Sequence, residues 1–94
     1  MKLVSVKKST AKNKKFTAIF SDDGREKKVH FGGQGFTDYT KGATDQQRRS
    51  YRARHASGKT AKPDTPNALS YYLLWGNSRS LASNLKAFKN KYNL

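Results

Sequence analysis

The first third of the chain alternates apolar and polar positions with the period of two that sets successive side chains on opposite faces of a β-strand. In KLVSVKK, Lys2–Lys8, Val4 and Val6 share one side, with Leu3, Ser5 and Lys7 on the other. In KFTAIFS, Lys15–Ser21, the residues Phe16, Ala18 and Phe20 oppose Lys15, Thr17 and Ile19. In KKVHF, Lys27–Phe31, Val29 and Phe31 oppose Lys28 and His30. Asp23–Gly24 predicts a hairpin turn between the second and third runs, because both positions tolerate positive φ. The first connection, STAKNK, reads as a longer basic loop. The pattern predicts a three-stranded antiparallel meander over residues 1–32. Its apolar face is Val4, Val6, Phe16, Ala18, Phe20, Val29 and Phe31. Its polar, cationic face is Ser5, Lys7, Lys15, Thr17, Lys28 and His30.

The segment VHFGGQGFTDYTKG then breaks the alternation, and residues 33–43 follow neither period. Helical signals return at TDQQ, where Thr44 caps and Gln47 can return the bond, a capping box. The predicted helix covers 44–57, with Gly58 as its terminator. It has little to bury beyond Tyr51, Ala53 and Ala56. GKTAKPD, Gly58–Asp64, reads as a linker. Thr65 caps a further helix with Pro66 at its first position, apolar almost all round through NALSYYLLW and closed by Gly76. Trp75 is expected to pack under the sheet. Ser78 or Ser80 opens the last helix, where Leu81, Leu85, Phe88 and Tyr92 form one stripe. The expectation is a single α+β domain over 1–94: a three-stranded meander, a Gly-rich loop, and about three helices packed on one face, the C-terminal ones within 65–93.

Charge changes the picture. Twenty Lys and Arg against six Asp and Glu give +14 in 94 residues. Met1–Lys41 and Gly42–Leu94 carry ten bases each, so the excess belongs to the folded body. Self-repulsion of this size opposes compaction unless a polyanion relieves it. Nucleic acid is the evident polyanion, since Lys and Arg release its condensed counterions. A membrane surface would need an amphipathic helix with a free apolar face, so no membrane partner is expected. The hydrophobic fraction, 34%, is low, but eleven aromatics supply a small core. Absence of cysteine removes disulfides and thiol chemistry and fits an intracellular setting. The opening MKLVSVKKST is too short and too charged an apolar stretch for a signal peptide.

For the glycine-rich loop three readings stand. Gly32, Gly33 and Gly35 could present successive backbone N–H groups to a phosphate. His30, Asp38 and Tyr39, with His55, could form a catalytic group in a small nuclease or strand-transfer enzyme. Or the loop is a structural corner pinned into the core by Phe36 and Tyr39. The spacing fits no mononucleotide fingerprint. Of the six acids, Asp22, Asp23 and Glu26 belong to a turn and Asp45 to a helix start, leaving Asp38 and Asp64, too few for two metals. No cofactor or metal is therefore expected, and an enzyme is the lesser reading. Four arginines, Arg48, Arg49, Arg52 and Arg54, sit on one helix with His55 beside them. The planar guanidinium suits bidentate phosphate contact. Lys7, Lys15, Lys28, His30, Gly33, Gly35, Lys41 and Lys59 complete the expected nucleic-acid surface. No recognition-helix pattern points to base reading.

Three separated stretches, Val29–Gly32 with Asp38–Thr40, Tyr51 with Arg54 and His55, and Leu74–Leu81, resemble an uncharacterised family of small basic proteins from large double-stranded DNA viruses of protists and algae. The resemblance runs from Lys27 to Tyr92 and leaves Met1–Arg25 outside. It implies a viral origin, with residence in the virion or at the site of replication, and supplies no chemistry. It also implies that His30, Asp38, Tyr39 and His55 matter to the fold or to a site. The expected function is phosphate-directed binding of nucleic acid, DNA before RNA, with weak sequence preference and self-association on DNA, suited to packaging or organising a viral genome. An adaptor docking on acidic surfaces of virion proteins is a third class.

Overall fold

In the computed structural model, which describes residues 1–94, the three predicted strands are β1 (Lys2–Lys8), β2 (Lys14–Asp22) and β3 (Arg25–Gly33). They form one antiparallel sheet in the order β1-β2-β3. Asp23 and Gly24 take φ values of 49° and 79° between the paired residues Asp22 and Arg25. Two consecutive left-handed residues are what a tight hairpin matching the strand twist requires.

The apolar face departs from strict alternation at one point. The register steps from Leu3 opposite Phe20 to Ser5 opposite Ile19, so Val4 is an unpaired extra residue. Such a bulge reverses which side chains face inward. Leu3 is buried at 2% exposure while Val4 stands 60% exposed, correcting the expected core assignment of Val4. From the sheet, Leu3, Ala18, Phe20, Val29 and Phe31 enter the core, with Val6 and Phe16 packed against it. The outer face is less open than its lysines suggest. Thr17 and Ile19 are buried in the middle strand, flanked in register by Lys7 and His30 and by Ser5 and Lys28.

The helices cover the inner face. The first, α1 (Asp45–Arg54), starts at the predicted capping box: Gln47 N–H donates to Thr44 Oγ1 (3.1 Å), and Thr44 N–H donates to Gln47 Oε1 (2.7 Å). It stops earlier than expected, and Ala56–Lys59 tighten into a 3₁₀ turn. Gly58 is therefore not a helix terminator. It is buried there, packed so closely that a Cβ would meet Tyr71 Cβ at 2.8 Å. Helix α2 (Pro66–Leu69) begins at the Thr65 cap and continues as a π-helical segment, Ser70–Leu74. Trp75 N–H reaches back five residues to Ser70 O (3.1 Å). Helix α3 (Leu81–Tyr92) begins at Ser80, whose hydroxyl accepts from Ser83 N–H. Helix α2 lies against β3, and α3 against the π-helical segment.

Leu69, Leu73, Leu74, Trp75 and Phe88 meet the sheet residues in one core. The α3 stripe holds, with Phe88 buried and Leu81, Leu85 and Tyr92 packed at its edge. Asn84, which the stripe omits, is also buried. Its Nδ2 donates to Leu73 O (3.0 Å) and Ser78 O (2.8 Å), and its Oδ1 accepts from Ser78 N–H (3.0 Å). One amide thus staples the turn between the last two helices, and its polar atoms are satisfied where burial would otherwise cost a hydrogen bond.

Candidate functional site

Helix α1 buries almost no apolar surface, so something else must hold it. The last carbonyls of a helix have no partner within it, and they form the negative end of its dipole. At the end of the α2 π-segment those carbonyls face α1. Arg48 Nε donates to Gly76 O (2.6 Å), and its terminal nitrogen donates to Asn77 Oδ1 (2.6 Å). Arg52 donates to Trp75 O (2.8 Å) and Tyr71 O (3.4 Å), and its guanidinium lies 4.1 Å from the centre of the Tyr71 ring. Burial draws the pKa of Arg52 below its ordinary value. Between the two arginines, Tyr51 stacks on Trp75 with centroids 4.4 Å apart and planes within 8°. Arg48 and Arg52, expected to be free for phosphate, are thus structural clamps. Arg49 and Arg54 are exposed and lack a carboxylate partner.

The glycine-rich loop is a built corner. Asp38 is buried, accepts Lys15 Nζ at 2.6 Å, and accepts the Thr40 N–H at 2.9 Å. Its carbonyl receives the Lys41 and Ala43 amides. Lys15, expected on the outer sheet face, turns into this pair with 13% of its side chain exposed. The amides of Gln34 and Phe36 are donated to Asn13 O and Gly33 O, so the loop is not an open row of N–H groups. Gly33 and Gly35 are exposed. Phe36, which the structural-corner reading would pin into the core, is 77% exposed. Tyr39 packs at the core edge and donates its hydroxyl to Asp45 Oδ1 (2.7 Å), with the Arg79 guanidinium 4.1 Å from its ring centre. That hydrogen bond to Asp45, foremost, raises the Tyr39 pKa.

His30 lies elsewhere. Its Nδ1 is 2.7 Å from Thr17 Oγ1 and 3.1 Å from Ser9 Oγ, a hydroxyl–imidazole group on the outer sheet face near exposed Lys7 and Lys28. His55 stacks on Tyr51 (4.1 Å, 21°). Of the four catalytic candidates, Asp38 and His55 line a common cleft that His30 does not reach, and Asp38 is already bonded to Lys15. Lys41 and Lys59 are exposed at the ends of the two 3₁₀ turns. No group of three or more His, Cys, Asp or Glu side chains comes together.

The cleft between the loop and α1 has a volume of about 850 Å³. Lys15, Gly33, Phe36, Tyr51, Arg54, His55 and Trp75 line it, with Gln46 and Gln47 at the start of the helix. Trp75 belongs to the core as expected and Tyr51 packs against it, and both also form part of the cleft wall. The i, i+4 spacing of Tyr51 and His55 was the signal that they would meet on one helix face.

Residues 4–55 match a family of unknown function, DUF5754. The chain belongs to this family. The match spans the sheet, the loop and α1, including the N-terminal strands that the resemblance above left outside. A member-like relative is the uncharacterized protein L851 of Acanthamoeba polyphaga mimivirus, 37% identical over 81 residues, covering 77% of this chain and 80% of that protein. No solved structure matches. No helix of this family member is long and apolar enough to cross a membrane.

Proposed function

We propose that the protein binds nucleic acid, DNA in preference to RNA, mainly through phosphate contacts and with weak sequence preference. A role in compacting or organising a viral genome, within the virion or at the site of replication, suits such a binder. One observation carries the reading: only Lys15, Lys27 and Arg79 of the twenty Lys and Arg side chains pair with a carboxylate. The remaining surplus has no internal counter-charge, and Arg49, Arg54, Lys7 and Lys28 are exposed. A polyphosphate supplies what the fold lacks. The resemblance to proteins of large double-stranded DNA viruses favours DNA.

The catalytic alternative has less support. Tyr39 holds its proton more tightly than a free phenol, through Asp45, opposite to what an attacking phenolate needs. The test is an electrophoretic or anisotropy titration of labelled duplex DNA across salt concentrations. Affinity should fall steeply, with a log–log slope near −0.9 per phosphate contacted. A flat slope, or no binding at low salt, removes the reading. Nicking of plasmid in the same tubes would turn the case toward an enzyme.

A further inference from the structure

Two aromatic faces at the cleft have no partner in the fold. Phe36 is the most exposed of the large hydrophobic side chains, yet it is not loose. Its ring lies on Gly33 so closely that a Cβ there would sit 2.8 Å from the ring edge. Held there at the cleft mouth, the ring offers an open aromatic face. The second face belongs to a ladder. Trp75, Tyr51 and His55 stack at successive centroid distances of 4.4 and 4.1 Å, with tilts of 8° and 21°. The Trp75 end is buried and the His55 end is exposed, so the ladder stops at an open imidazole face. Arg54, next in sequence and exposed, brings a cation without an acidic partner to the same cleft.

A flat π-system flanked by one negative charge fits this arrangement, and a nucleotide has both. A paired base keeps its faces inside its own helix, so only an unpaired one can offer them. The cleft volume, about 850 Å³, falls within the roughly 300–1,000 Å³ span of small-ligand sites. We propose that the cleft takes an unpaired nucleotide of a single strand, its base stacked on Phe36 and on the open face of His55, its phosphate at Arg54. The inference rests on the nucleic-acid reading above and adds strandedness to it: duplex is held by phosphate contacts alone, while a single strand adds base stacking.

The experiment uses the full chain and two probes of ~12 nucleotides, a labelled single strand carrying 2-aminopurine at its centre and its fully paired duplex. Anisotropy at one salt concentration gives both affinities, and 2-aminopurine fluorescence reports stacking. The expected result is tighter binding of the single strand, with quenched 2-aminopurine. Phe36→Ala should weaken single-strand binding roughly ten-fold while leaving duplex affinity and the melting temperature unchanged. Phe36→Trp should restore it, and His55→Ala should reduce the quench. Free nucleoside monophosphate should compete only weakly, since it lacks the neighbouring phosphates. Equal single-strand and duplex affinity with no quench, or a Phe36→Ala variant that binds the single strand as well as the parent, overturns the stacking cleft. In that case duplex binding still stands. Failure of both probes to bind at low salt overturns the nucleic-acid reading itself and the inference with it.

Discussion

Helix α1 carries two pairs of arginines with opposite duties. Arg48 and Arg52, four residues apart, face the end of the α2 π-segment and donate to the carbonyls of Gly76, Trp75 and Tyr71. Arg49 and Arg54 face solvent and pair with no carboxylate. The residue type and the element are the same; only the helical phase differs. Inward, the guanidinium replaces the missing hydrophobic face by satisfying orphan carbonyls. Outward, the same group is surplus charge. A count of arginines therefore overstates the cationic surface that the fold leaves exposed.

The largest expected effect breaks the inward pair. Replacing Arg48 and Arg52 together by alanine removes hydrogen bonds from charged donors and leaves helix-end carbonyls without partners. Unfolding in urea should show a loss of about 3 kcal/mol or more. A loss below about 0.5 kcal/mol would mean that Tyr51 and Trp75 alone hold α1. The outward pair should behave in the opposite way. Arg49→Glu with Arg54→Glu should leave the urea midpoint almost unmoved. In the proposed interface it should weaken duplex binding by about ten-fold and flatten the salt slope by about two. Unchanged affinity would take α1 out of that interface.

A smaller effect tests the aromatic cluster of Tyr72, Phe88 and Tyr92. Burial, followed by the neighbouring Tyr92 phenol, pushes the Tyr72 pKa from 10.0 up to about 12. The folded state therefore favours the neutral phenol. That contribution is whole below pH 10 and is lost as pH rises toward 12, where the unfolded chain has already released the proton. Stability should fall over this window, and Tyr72→Phe should lessen the fall. The same variant should cost about 1 kcal/mol at neutral pH, because Tyr72 donates to Lys59 O (2.7 Å). Paired urea titrations near neutrality and near pH 11 decide it. Smallest of all, Tyr39→Phe removes a solvent-exposed bond to Asp45 and should leave the urea midpoint almost unmoved. A larger loss would show that the loop corner depends on Tyr39 as well as Asp38.

Much of the fold is legible in local chemistry. Asp23–Gly24 announces its turn, Thr44 with Gln47 announces the start of α1, and Thr65–Pro66 and Ser80 announce the next two helices. Each is decided by neighbours within a few residues, where φ preference and side-chain reach are intrinsic. The site is less legible. Lys15 and Asp38 are 23 positions apart and read as an outer-face lysine and a loop acid, yet they form a buried pair. Phe36 reads as a core anchor and stands in solvent. Val4 and Leu3 exchange places because one extra residue on an edge strand leaves no mark in the hydrophobic pattern.

What the sequence alone determined is the order of strands and helices, the apolar stripe of α3 and the cationic surplus, since all are local or additive properties. Tertiary structure alone decided which cations remain free, which aromatics face the cleft and where Asn84 staples the final turn. Those outcomes depend on which backbone carbonyls are left without partners when distant segments meet. No residue carries that information until the chain has closed on itself.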